Sequence, residues 1–351
     1  MTTTRIRVLT HSSVAQARMC LRAWQYRNEL HLVADTDSEA LHVGSAVHRG
    51  IELWRKTDPV LRTPARVGKI LQQVLDEFPN DQNPYATAMA MACLSAYFER
   101  WKDDDHSTVW PHVEVTFEVA IRNPETGGVS RSFLLSGKID AISLQCPWET
   151  KTTSEDISPG SNYLLRLRND PQISTYLSAL RKHNYDYSFI RYDVVRKPGL
   201  RPKNIAVLDD DGNKIVFAAD GTRVFNKNGT PRQTADTALG YEIQTRPETP
   251  EEYSGRLVDA MLAEPDKHFA RIDVYRPDDA LESHEADLWQ TGQMLLQCLN
   301  AGQFPRSINR WTCGFCSYAP LCLNNIAVDQ ESAPPTGYRF ENPNNELEES
   351  V

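Results

Sequence analysis

Three cysteines crowd into ten residues, Cys313-Gly-Phe-Cys316-Ser-Tyr-Ala-Pro-Leu-Cys322, and this run constrains the chain more than any other feature. The total of seven cysteines is odd, which argues against a disulfide framework in a chain of this size. A C-x2-C-x5-C run supplies three thiolates, whereas a tetrahedral metal site wants four ligands. Cys20, Cys93, Cys146 and Cys298 are the candidates for the fourth. Cys20 is preferred, because it follows a capped helix start at the far end of the chain. Joining it to Cys313 closes a loop of nearly the whole domain and so restricts the unfolded chain strongly. Zinc would use the same ligands, and unrelated buried thiols are the plainer alternative.

Length and charge set wide limits. The 351 residues suffice for one large domain or two modest ones, and 40% apolar with 24% charged residues fits an ordinary globular chain. No apolar run approaches the length that crosses a bilayer. The first twenty residues lack the apolar core of a secretory signal, so a cytoplasmic location without membrane association is expected. The formal charge is −9, but residues from Val328 onward hold six acids and one base, leaving −4 for the rest. A strongly basic chain would have pointed to nucleic acid; mild acidity does not exclude it where basic groups are local.

Hydrophobic periodicity predicts helices over 12–32, capped by Ser12 or Ser13, over 41–56, and through 66–102. The period then changes to two: 113–121, 132–144 and 147–153 read as strands. Asp170 followed by Pro171 reads as the N-cap and first position of a helix. Residues 188–197 read as another strand, and 198–240, rich in Gly, Asn and Asp, as an inserted hairpin region. Helices resume over 250–262 and 278–302. The Pro/Asn/Glu-rich tail reads as disordered, and no internal repeat is evident. No phosphate-binding glycine loop and no HExxH motif occurs.

Four groups could carry chemistry. Gly137-Lys-Ile-Asp140 precedes Glu149-Thr-Lys151, and the interval suits a hairpin return. Glu149 and Lys151 are two apart on a strand and share a face. Two carboxylates with room for water is how Mg²⁺ is usually held, and a lysine beside them can position an attacking water. Taken alone, the pattern fits a surface hairpin with a salt bridge equally well. Gly44, His48 and Glu52 are spaced i, i+4, i+8 along one helix stripe. Gly44 allows close packing, and His48 could offer a neutral imidazole to a metal, although a single helical histidine is more often structural. Gln172 and Tyr176 are i, i+4 near a helix N-terminus, which favours phosphate. The cysteine set is the fourth group. Basic residues Arg166, Arg168, Arg191, Arg196, Lys197, Arg201 and Lys203 flank these segments and could contact a phosphate backbone, or simply line a solvated face.

Taken in order, these elements resemble the PD-(D/E)XK nuclease superfamily, in particular its RecB/AddB-like iron–sulfur branch, which includes CRISPR-associated and phage-encoded exonucleases. The resemblance runs from about Ser12 to Cys322. It implies an α/β fold: a small mixed sheet flanked by helices, with a helical insertion and an iron–sulfur staple. One domain over 1–326 is expected: helical insertion 52–108, catalytic core 109–197, β-rich insertion 198–245, C-terminal helices with the cysteine cluster 251–326, then a disordered acidic tail, 327–351.

The resemblance further implies that His48, Asp140, Glu149 and the Thr150 carbonyl hold Mg²⁺ or Mn²⁺. Lys151 would be the catalytic lysine, with Gln172 and Tyr176 holding substrate and shaping the site. Cys20, Cys313, Cys316 and Cys322 would bind a [4Fe–4S] cluster. The expected function is a DNA exonuclease of recombination or repair, possible in a phage setting, acting on a free DNA end beside a helicase or annealing partner. The alternative is a DNA-end-binding or assembly subunit with a vestigial site.

Overall fold

The fold is described from a computed structural model, for residues 6–35, 39–79 and 83–342. In chain order its first elements are β1 (Arg7–Leu9), α1 (His11–Met19), α2 (Leu21–Trp24), β2 (Leu32–Ala34), α3 (Glu39–Arg55), α4 (Pro64–Glu77) and α5 (Pro84–His106). Then come β3 (His112–Arg122), β4 (Val129–Ile142), β5 (Pro147–Thr153), α6 (Asn162–Arg168), α7 (Pro171–Lys182) and β6 (Phe189–Arg196). The insertion holds β7 (Asn204–Ala206), β8 (Val216–Phe217), β9 (Glu242–Ile243) and β10 (Thr245–Pro247). The chain continues through α8 (Pro250–Ala263), β11 (Phe269–Tyr275), α9 (Asp278–Ala301), α10 (Arg310–Gly314), α11 (Ala319–Leu323) and β12 (Tyr338–Phe340).

The central sheet is mixed, as expected. Its order is β1-β4-β5-β6-β11, with β3 on the other edge of β4. The β1–β4 and β5–β6 pairs are parallel; β3–β4, β4–β5 and β6–β11 are antiparallel. Alternation along β6 sorts the two cores. Val194 joins the cluster built with α7 and α9, and its neighbour Val195 joins the one built with α3 and α5. Helices therefore cover both faces of the sheet.

One gap in this sheet matters. β1 pairs with β4 only at Phe133–Leu135, and β5 pairs with β4 only at Ala141 and Ile142. Both lie on the edge of β4 that β3 does not occupy, so residues 136–140 of β4 have no strand partner there. The β4–β5 turn is as tight as its length requires: Ser143 N–H donates to Cys146 O at 2.9 Å.

Several expectations need correction. The first long helix is three pieces. Thr10, not Ser12 or Ser13, caps α1, with Ser13 completing a reciprocal capping box. Extended backbone at Cys20 then ends α1, and a π-helical turn over Gln25–Glu29 ends the stretch. β1, α6 and β11 are further elements that the periodicity reading does not include. The tail is not disordered throughout: β12 pairs antiparallel with β2, and Tyr338 stacks on Tyr318 at 6.3 Å. Its acidic composition hides a strand that shields the β2 edge. Residues 343–351 of that expected tail lie outside the described residues.

An internal repeat is present after all. Three successive turns, starting at Asp209, Ala218 and Asn226, make the same pair of backbone hydrogen bonds. Each has glycine three residues on, with φ of 78°, 84° and 79° at Gly212, Gly221 and Gly229. Left-handed backbone at that position is what a short bulged turn demands. A ladder of Ile215, Val224 and Arg232 N–H groups to Val207, Val216 and Val224 carbonyls stacks the turns.

Candidate active site

The open edge of β4 is closed by side chains from α3 and α7. Tyr176, on α7, donates its hydroxyl to the Lys138 carbonyl at 2.7 Å, within the unpaired stretch of β4. Asp170 caps α7 as expected, accepting from Gln172 N–H at 2.9 Å. From the first turn of α7, Gln172 Nε2 donates to Glu149 Oε1 (2.8 Å) and to Tyr176 OH (2.7 Å). Lys151 Nζ donates to Glu149 Oε1 (2.8 Å) and Gln172 Oε1 (2.6 Å). Glu149, Lys151, Gln172 and Tyr176 thus form one network on one face of β5.

Asp140 stands where β4 and β5 part. Its Oδ2 accepts from Thr150 N–H at 2.7 Å and lies 3.7 Å from His48 Nδ1. His48 reaches this point because α3 lies close on β5: a Cβ on Gly44 would sit 3.2 Å from Thr152 Oγ1. His48, Asp140, Glu149, Lys151, Gln172 and Tyr176 therefore adjoin one another, whereas Glu52 is bonded to Arg49 and Lys56.

The electrostatics follow from burial. Glu149 is 5% exposed, and its pKa is pushed up to about 8, first by burial and then by the Asp140 charge. Lys151 is opposed by burial, yet Glu149, Asp170 and Asp140 outweigh it and hold its pKa above the ordinary value. Burial lowers that of His48 against the pull of Asp140, favouring a neutral imidazole. The Tyr176 hydroxyl is raised well above its ordinary value by burial and the two carboxylates, so it stays protonated.

One atom is anomalous. Glu149 Oε2 is buried and has no hydrogen-bond partner. A carboxylate oxygen in that position is costly unless something charged meets it. Asp140 and Glu149 offer carboxylate oxygens, Thr150 a carbonyl oxygen and the neutral His48 an imidazole nitrogen, donor types that a divalent cation accepts. No group of three or more His, Cys, Asp or Glu side chains among the described residues is gathered closely enough to share one ion. As they stand, His48, Asp140 and Glu149 are not drawn around one point.

Other residues at the site belong to no motif. Glu114 of β3 stands across from Asp140 with φ of 58° and pairs with Lys138 at 2.7 Å. His11 Nε2 lies 3.5 Å from Asp170 Oδ1. Beneath the site, Arg55 Nη1 donates to Thr150 Oγ1 (3.0 Å) and Nη2 to Asp193 (2.8 Å). Asp193 also accepts from Tyr97 OH (2.6 Å), while Arg271 reaches it at 3.3 Å and Asp105 at 2.8 Å. Both guanidiniums stack near Trp148, at 5.4 and 4.9 Å. In the sequence Arg55 is one of two adjacent basic residues, with Lys56, at the end of an amphipathic helix, and nothing there marks it as buried.

The four expected cysteines also meet. Cys20, Cys313, Cys316 and Cys322 line one cavity between α2 and the α10–α11 segment. Burial raises the Cys316 thiol pKa, and the other three thiols add to the effect. Cys93, Cys146 and Cys298 are buried elsewhere.

Comparison with known proteins decides the family: the model of the PD-(D/E)XK nuclease superfamily matches residues 8–323. The chain belongs to the PD-(D/E)XK nuclease superfamily. The mixed sheet and its flanking helices are consistent with the core of that superfamily. PD-(D/E)XK membership supports a metal-dependent nuclease, a phosphodiester hydrolase acting on DNA with Mg²⁺ or Mn²⁺. No curated protein matches the chain. A solved structure titled "Crystal structure of SSO0001" is similar over 92% of this chain and 89% of that one, at 11% identity and a TM-score of 0.34. That likeness is too weak to add to the assignment. Among the described residues no helix is long and apolar enough to cross a membrane.

Proposed function

We propose that this nuclease is a DNA exonuclease whose metal site is Asp140, Glu149, His48 and the Thr150 carbonyl, with Lys151 as the catalytic lysine. The observation that carries the reading is the orphaned Glu149 Oε2, buried beside Asp140 and Lys151. When bound, the cation would neutralise charge developing on the phosphate and acidify a water. The chain's own residues do the rest. Lys151, fixed by Glu149 and Gln172, orients the water for in-line attack. The new P–O bond forms as the P–O3′ bond breaks, leaving a 5′-phosphate and a 3′-hydroxyl. Gln172 and Tyr176 hold Glu149 and the β4 edge in place.

The second element of the proposal is a [4Fe–4S] cluster on Cys20, Cys313, Cys316 and Cys322. Four thiols lining one cavity support it. Zinc could take the same thiols, and colour separates the two, since a zinc protein is colourless and a cluster protein brown. Processing of free DNA ends in recombination or repair, in a phage setting and beside a helicase or annealing protein, is the biological role this chemistry would serve.

The test is cleavage of end-labelled linear and covalently closed circular DNA by anaerobically purified protein. An exonuclease degrades the linear forms and spares the circles. Cleavage of circles at a similar rate overturns the exonuclease assignment, and a colourless active protein overturns the cluster.

A further inference from the structure

Charge is segregated in this acidic chain. Residues 1–28 contain no Asp or Glu and five arginines, and residues 288–328 contain no Asp or Glu and two more. The two segments pack together. Arg22 donates to the Phe304 carbonyl at 3.0 Å, Tyr26 stacks on Tyr318 at 5.3 Å, and Arg306 donates to the Cys322 carbonyl at 3.2 Å. These two stretches thus pack into one lobe on a protein of net charge −9; the acids that border them include Glu29, paired with Arg7, and Asp287, beside Arg18.

Two further observations lie on that lobe. Trp311 is 70% exposed and Phe315 91%. Neither ring is spent on the core, and the Arg310 guanidinium lies 4.5 Å from the Trp311 centroid. A groove of about 740 Å³ crosses the same lobe. Its one end is Ser317 and Tyr318, in the loop that carries Phe315; its floor includes Gln16, Arg27 and Asn28; its other end is His11. His11 pairs with Asp170, the cap of the helix that carries Gln172. The groove therefore ends beside the catalytic network.

We propose that this lobe is a single-stranded DNA surface, on which Trp311 and Phe315 stack unpaired bases and the arginines hold phosphates of the strand entering or leaving the site. Exposed rings beside Arg310, next to a groove lined by Arg27 and by no carboxylate, are what a single strand needs. A duplex hides its bases and has no use for the rings. The proposal rests on the nuclease reading, since it takes the groove to serve that site.

The experiment is fluorescence anisotropy of labelled oligothymidine and of a blunt duplex, with the anaerobically purified full chain in EDTA, where cleavage cannot occur. Trp311→Ala and Phe315→Ala should each weaken oligothymidine binding by roughly tenfold, with duplex binding changed little. Melting temperature should hold, because both rings are exposed; Trp311→Phe, which keeps a stacking face, should retain most of the affinity. Unchanged oligothymidine affinity in the double variant overturns the proposal, and so does an equal loss for the duplex. A double variant that keeps its DNA affinity but changes from dimer to monomer assigns the rings to a second copy of the chain. Wild-type protein that binds oligothymidine but cleaves nothing in Mg²⁺ defeats the nuclease reading and leaves the surface standing.

Discussion

At the scale of single residues, Glu149 concentrates the physics of the site. Its carboxyl is buried, one oxygen held by Lys151 and Gln172 and the other by nothing. With a pKa raised from 4.5 to about 8, the folded state binds more protons than the unfolded state between those values. Its contribution to stability therefore falls as pH rises through that window. Metal-free protein should melt higher at pH 6 than at pH 8.5 by more than the Glu149→Gln variant does. Mg²⁺ should stabilise wild type most at the upper end of the window, where the proton it displaces is already gone. Parallel pH slopes for the two proteins, read by thermal melting with and without Mg²⁺, would remove Glu149 from the account.

The reach of the sequence is clearest at this scale. ExK on a strand and QxxxY on a helix are local spacings, and elementary periodicity brings their side chains to one face. Asp140 is nine residues from Glu149, near enough for a hairpin to join them. His11, Glu114 and Arg55 carry no such signal, because their partners are set by how distant segments pack.

At the scale of elements, α3 is tied to the sheet at two points. His48 meets Asp140 of β4, and two helical turns on, Arg55 meets Thr150 of β5 and Asp193 of β6. Asp193 is fully buried; burial disfavours its charge, but Arg271 and Arg55 outweigh this and depress its pKa. Arg55→Leu would leave Asp193 with the longer Arg271 contact, a loss of about 3–5 kcal/mol by analogy with other broken buried pairs. Denaturant titration checks this; a loss below about 1 kcal/mol would mean the pair is dispensable.

The strand β11 does alternate: Ala270, Ile272 and Val274 pack on one core, while Arg271 and Asp273 face the polar network and Arg191. It is overlooked because the alternating run is so short and lies between two helices. The repeated turns after Val207 escape for another reason. Their likeness is written in the sequence, as Asp211-Gly212-Asn213, Asp220-Gly221-Thr222 and Asn228-Gly229-Thr230, but the units are far shorter than the periods at which repeats mark a fold.

At the scale of the whole molecule, both ends of the described chain close on one another. β12 pairs with β2, Tyr318 OH donates to the Leu32 carbonyl at 2.7 Å, and Cys20 shares a cavity with Cys313, Cys316 and Cys322. Locking contacts so far apart in sequence restricts the unfolded chain strongly. Cys316→Ser should bleach the anaerobic protein and lower its melting temperature by several degrees. A brown variant with unchanged melting would contradict the cluster as a staple.

The central claim is that Asp140, Glu149 and Lys151 form a phosphodiester-hydrolysing site. Its most direct test is Mg²⁺-dependent cleavage of linear DNA by wild type, Asp140→Asn and Lys151→Ala, each confirmed folded by circular dichroism. Cleavage by wild type alone, abolished by EDTA and reduced at least a thousandfold in both variants, is the predicted result. Folded variants that cleave at the wild-type rate would place the chemistry elsewhere.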